Sequence, residues 1–164
     1  MNRIMSWIRH AAFRLMFFVG IHPNAEARLG ETEPELVERF GPVKQRDIRF
    51  GFIGFIKEEY LVCFQMMDGR AEAMIFGYKE PYTQLHEAQV DHLLQLYSEG
   101  STWRELESSE SQVSYEASDG LKFAVWEKVP KTIKRPNLQI MTKRGKDWLK
   151  EYQKRYVREK LSGF

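Results

Sequence analysis

Thiols and imidazoles are scarce in this 164-residue chain: one cysteine, Cys63, and four histidines, of which only His86 and His92 follow residue 27. A single cysteine excludes an internal disulfide and a thiolate-rich metal site. Cys63 lies in Tyr60-Leu61-Val62-Cys63-Phe64 with no Lys, Arg or His beside it to favour a thiolate, so it reads as a small apolar residue on a strand. His86 and His92 are separated by about 600° of helical rotation and face different ways, which rules out a shared metal. Long apolar runs are also missing. The longest near the N-terminus, Leu15 to Ile21, falls far short of the roughly 20 residues that a membrane span needs.

Catalytic signatures are absent too. No H-E-x-x-H, CxxC, G-x-S-x-G or Walker pattern occurs. The Gly51 to Gly54 spacing lacks the lysine and following helix of a phosphate loop, and reads as strand glycines under a docked helix. Glu58-Glu59 and the Glu105/Glu107 pair sit where solvated charge is expected, one in a turn and one flanking a strand end. No catalytic, cofactor-binding or metal-ligating residue is assigned and no cofactor is expected. An enzyme with a site built from scattered residues is kept as an alternative.

What is present is a globular composition, 43% hydrophobic and 13% aromatic, on a chain long enough for one domain with a real core. The overall charge of +2 hides an asymmetry. Residues 28–130 hold 11 cationic and 19 acidic side chains, a net of −8, whereas residues 131–164 hold 11 and three, a net of +8. The body is acidic and the tail basic.

Residues 1–27 place Arg3, Arg9 and Arg14 before the apolar stretch, then His22-Pro23-Asn24 and a small-x-small Ala25-Glu26-Ala27. This is the layout of a signal peptide cleaved near Ala27, and it implies a periplasmic or secreted protein. An interfacial amphipathic helix, with the protein cytoplasmic or membrane-peripheral, is the alternative.

Residues 28–142 read as one α+β domain of two successive helix-then-antiparallel-meander units, about 30–80 and 81–142. Thr32 followed by Glu35 is a capping box, Pro34 suits the first turn, and Gly41-Pro42 stops the helix. Strands are expected over Ile48–Ile56, Tyr60–Met67 and Arg70–Tyr78, with Asp68-Gly69 as a two-residue hairpin. The order then repeats. Leu85 to Tyr97 is helical, with His86 at the N-cap, and strands follow around the Asp119-Gly120 turn.

The run Ala27-Arg28-Leu29-Gly30-Glu31-Thr32, Glu35-Leu36 to Phe40-Gly41, Asp68-Gly69, Gly100-Ser101-x-Trp103, Tyr115 to Asp119-Gly120 and Leu138-x-Ile140-x-Thr142 resembles a group of small exported bacterial proteins of uncharacterised function. More distantly, the layout is similar to the helix-plus-sheet modules of outer-membrane assembly lipoproteins and β-lactamase inhibitor protein. That resemblance implies a protein-binding role, by analogy of fold alone. The chain departs from those modules in lacking a lipobox cysteine and in having one helix per unit.

Residues 143–164 form a basic C-terminal helix. Trp148, Tyr152, Tyr156 and Leu149 share one side, and Lys146, Lys150, Lys154, Arg155 and Arg158 occupy the rest. The ordinary expectation is that the stripe packs on the domain. The alternative makes Trp148, Tyr152, Tyr156, Lys150, Lys154, Arg155 and Arg158 the contacts to a partner. A protein or a second copy is favoured, an anionic membrane surface is possible, and nucleic acid is not favoured.

Overall fold

Turn chemistry cuts this chain into short strands that pair with their sequence neighbours except at the centre, where β4 meets β8. In the computed structural model, which describes residues 28–80, 83–128 and 137–161 (side chains through Tyr152 and at Lys154), they form an eight-stranded antiparallel sheet with three helices. The order is α1 (Glu33–Phe40), β1 (Gln45–Asp47), β2 (Phe52–Lys57), β3 (Tyr60–Met67), β4 (Arg70–Tyr78), α2 (Glu87–Leu96), β5 (Trp103–Ser108), β6 (Gln112–Ala117), β7 (Lys122–Glu127), β8 (Asn137–Thr142) and α3 (Lys143–Leu161). In space the strands run β1-β2-β3-β4-β8-β7-β6-β5. The predicted signal segment, residues 1–27, lies outside the described residues.

Period-two alternation gives the sheet two faces. The inner face carries Ile53, Phe55, Val62, Phe64, Met74, Ala124, Leu138 and Ile140, all buried. Both α1 and α2 close it. Helix α1 inserts Leu36, 0% exposed, and sets the Phe40 ring 5.5 Å from both Phe55 and Phe64. Its start is held by Glu35, whose carboxylate accepts from the Thr32 N–H and Oγ1–H, each at 2.7 Å. Helix α2 buries Val90, Leu93 and Leu94, and Gln89 Oε1 accepts the His86 N–H at 2.9 Å. The Trp103 indole donates to the Leu94 carbonyl at 2.6 Å, and Lys122 reaches the Tyr97 and Ser98 carbonyls and Glu99. The end of α2 is thus tied to both β5 and β7.

Two expectations are corrected. Ile48–Ile56 is not one strand: Asp47 Oδ1 accepts the Phe50 N–H at 3.3 Å, Gly51 turns at φ +69°, and β1 pairs back on β2. Four strands therefore follow α1 where three were expected. Gly51 is accordingly a turn glycine and not a strand glycine under a helix. A Cβ there would lie 2.9 Å from the Met66 carbonyl oxygen. Glu105 and Glu107, placed at a strand end by the sequence, lie within β5 on either side of a bulge at Leu106.

Candidate functional site

The outer face of the sheet is where sequence and structure converge. Cross-strand register aligns Phe52, Gln65, Ala73, Met141 and Phe123 in one row across β2, β3, β4, β8 and β7. Beside it runs a second row, Gly54, Cys63, Ile75, Gln139, Val125 and Ser114. Helix α3 lies on the first row. It follows β8 with no intervening residue, and Thr142 Oγ1 accepts the Gly145 N–H at 3.1 Å while donating to Glu72 at 2.5 Å. Gly145 allows close contact with β4, since a Cβ there would sit 2.5 Å from the Glu72 carbonyl oxygen.

Beyond that pivot, Arg144 pairs with Asp68 at 2.5 Å, and the Lys146 ammonium sits 3.4 Å from the Phe123 ring centroid. Trp148 meets Phe52 edge-on at 6.0 Å, Tyr152 meets Phe50 edge-on at 4.8 Å, and the two α3 rings stack at 5.1 Å. Two of the three predicted stripe aromatics are thus engaged within the chain. Lys150 and Lys154 are exposed, the latter 2.8 Å from Glu151. The side chains of Arg155, Tyr156 and Arg158 lie outside the described residues, although their backbone continues α3.

The fit beneath α3 is loose. Among its described residues only Gly145 is buried, whereas Trp148, Leu149 and Tyr152 are half-buried. A cavity of about 20 Å³, room for a single water, lies between Gly145, Trp148 and Leu149 and the sheet residues Gln65, Ala73, Ile75 and Met141. Gln65 is 2% exposed and its Oε1 has no hydrogen-bond partner. Sequence pattern could not find Gln65: it interrupts an apolar strand at a position whose burial depends on a helix 80 residues later.

A polar group stands next to the second row. Glu127 accepts from Asn137 Nδ2 at 3.0 Å and Gln139 Nε2 at 3.4 Å, and burial raises its carboxyl above the ordinary range. On the inner face, burial pushes Tyr115 up to about 12, with the Glu105, Asp91 and Glu87 carboxylates adding to it. Burial raises Tyr60 likewise, next to Tyr78, whose hydroxyl accepts from Gln89 Nε2 at 2.9 Å.

His86 caps α2 and His92 is half-buried on the same helix. Among the described residues no three His, Cys, Asp or Glu side chains could hold a metal, and no helix is long and apolar enough to cross a membrane. At the sheet corner beside Tyr152, the loop between β1 and β2 presents Ile48, 91% exposed. The apolar pattern of Ile48–Ile56 places that residue on a strand, and the structure places it in the turn before β2.

No family model matches the sequence, and no curated protein matches it. Among solved structures, a cysteine-rich secretory protein from Staphylococcus aureus is similar at 11% identity and a TM-score of 0.43. The likeness covers 71% of this chain and 45% of that one, so this chain spans less than half of that protein's length. No residue role transfers at that level of likeness.

Proposed function

We propose that this chain is a non-enzymatic, exported, envelope-associated binding module that meets its partner at the corner where the β1–β2 loop joins α3. The observation that carries the reading is Ile48, almost wholly exposed at the tip of a loop whose base is pinned by the Phe50–Tyr152 contact. A large apolar side chain held out on an anchored loop costs hydration and gains nothing within the chain. Exposed Lys150 and Lys154 on the adjoining helix add positive charge, suited to an acidic partner protein, a second copy with its acidic body, or an anionic surface.

We further read the body as two related units, α1 with β1–β4 and α2 with β5–β8. Support comes from the two helix starts, each with a Glu or Gln at the third helical position bonding back, and from a strand order that mirrors itself about the β4–β8 junction. The D-G turns fall at different places, between β3 and β4 and between β6 and β7, so the units are related in plan more than in detail.

Two measurements test the reading. Mass spectrometry of the protein recovered from its host should find an N-terminus near Arg28, and an intact Met1 defeats export. A photo-crosslinking residue at position 48 should capture an envelope component that the same residue at exposed Glu110 does not. Equal capture at both positions, or none at 48, removes the corner as the binding surface.

A further inference from the structure

The way α3 is seated differs from the way α1 and α2 are seated, and the difference points to a purpose. The two inner-face helices each drive buried aliphatic side chains into the core: Leu36 in α1, and Val90, Leu93 and Leu94 in α2. Helix α3 is more than twice as long as α1, yet among its described residues it buries only a glycine. Its underside leaves a water-sized cavity and a buried amide oxygen, Gln65 Oε1, with no donor. Of the ion pairs that hold it, the short one, Arg144 to Asp68, has side chains 50% and 79% accessible, and Arg144 meets the less accessible Glu72 only at 3.6 Å. Exposed ion pairs contribute little and are screened by salt.

Against this, the helix itself is well formed for a second setting. It carries eight Lys or Arg against three Asp or Glu, a net of +5, with Trp148, Leu149 and Tyr152 on one side. Amphipathic helices of that make-up lie in the headgroup layer of anionic bilayers, where Trp and Tyr settle at the interface and Lys and Arg meet lipid phosphates. The hinge is already present. With no residue between β8 and α3, a rotation at Thr142-Lys143 that releases the Thr142 cap on Gly145 swings the whole helix.

We propose that α3 is a strap that leaves the outer sheet face to bind an anionic membrane surface, the docked form storing the aromatic stripe on Phe50 and Phe52. This rests on the envelope-associated part of that reading, not on the docked corner, and gives the released helix a partner of its own, an anionic lipid surface, with docking as the device that controls access to it. Docking and membrane binding use the same side of the helix and therefore exclude each other. Membrane affinity is then set by the fraction of molecules in which the strap is free.

Two substitutions that leave the aromatic side chains of the stripe unchanged move that fraction in opposite directions. Gly145→Ala drives a Cβ against the Glu72 backbone, which cannot yield, and loosens the strap. Gln65→Leu replaces the orphan amide oxygen with an apolar group of similar size and tightens it. Satisfying or removing such a group shifts docking by about tenfold.

The full-length chain is mixed with phosphatidylglycerol-rich vesicles, with pure phosphatidylcholine vesicles as the control, at low and high salt. Co-sedimentation is paired with amide exchange over residues 143–161 in solution. The expected result is salt-sensitive binding to the anionic vesicles only, about tenfold tighter for Gly145→Ala with faster α3 exchange, and about tenfold weaker for Gln65→Leu with slower exchange. Equal binding by the three proteins despite different exchange rates overturns the strap, as does binding by none of them. In the latter case, continued crosslinking from position 48 leaves the envelope-binding reading intact and identifies the strap as the part that failed. Should Gly145→Ala fail to fold, the weakened binding expected of Gln65→Leu carries the test alone.

Discussion

Replacing Leu36 with alanine tests whether α1 is an integral part of the fold or an accessory to it. The helix has eight residues, about two turns, and a helix that short has no stability of its own in water. Leu36 is its one buried residue, at 0% exposure, and Phe40 is only half-buried against Phe55 and Phe64. Truncation to alanine loses the transfer free energy of the buried side-chain carbons and leaves a cavity against a sheet that cannot close over it. Measured Leu→Ala costs of this kind run about 2.7–5 kcal/mol. Alanine's better helix propensity returns only a few tenths of a kcal/mol, so a net loss of about 3 kcal/mol is expected. For a chain of this size that lowers Tm by roughly 6–12 °C. Urea denaturation followed by circular dichroism should show a lower midpoint with an unchanged slope. Val37→Ala, one position along and 36% exposed, should cost less than about 0.5 kcal/mol. If the two variants are equally stable, or if Leu36→Ala releases only the α1 amides to exchange while the sheet keeps its protection, the helix is a detachable cover and the argument fails.

Other consequences follow from single contacts. Gly51→Ala forces a left-handed residue to carry a Cβ 2.9 Å from the Met66 carbonyl oxygen, and should cost about 1–3 kcal/mol in the same urea assay. The equivalent change at Gly69, also left-handed but with open space around it, should cost less. Lys122→Met removes the donor shared by Tyr97, Ser98 and Glu99 and should destabilise by about 2 kcal/mol, whereas Glu99→Gln, on the more exposed partner, should cost little. If those two costs come out equal, the contact to Glu99, and not the capping of α2, is what stabilises. Glu127 has a raised carboxyl, so its native form favours the proton: its contribution is present at acid pH and lost as pH rises through the folded-state value. Glu127→Gln should therefore raise the thermal midpoint more at pH 7 than at pH 4, and the reverse order would show that its charge is stabilised by a partner.

Local chemistry was legible and remote burial was not. Thr32 with Glu35, His86 at a helix start, and the Asp68-Gly69 and Asp119-Gly120 turns all act within a few residues, and each marks the boundary its residue types imply. The docked side of α3 was legible for the same reason, since Trp148 and Tyr152 recur at helical spacing. The turn at Ile48 to Gly51 was hidden because Phe50, Phe52 and Phe55 look like one strand, and only the Asp47 side chain, acting three residues ahead, breaks it. Gln65 and Lys122 were hidden because what surrounds each is supplied by elements far along the chain. The corner at Ile48 combines both difficulties: its exposure follows from a turn that was missed and a helix contact that no local pattern encodes.

The pairing of β4 with β8 has a consequence for synthesis. Ala73 to Gly77 face Met141 to Asn137, so β4 has only one neighbour until residues 137–141 have emerged. During that interval Ala73, Met74, Ile75 and Phe76 form an apolar strand with an open edge, the kind of surface that recruits other chains. β8 arrives last and α3 directly after it, across the same seam. β8 is therefore the strand that ends the exposure, and a ribosome stalled before residue 137 releases a product whose sheet is sticky at its middle. Truncated chains of this protein should aggregate through β4, well away from either of the native sheet edges.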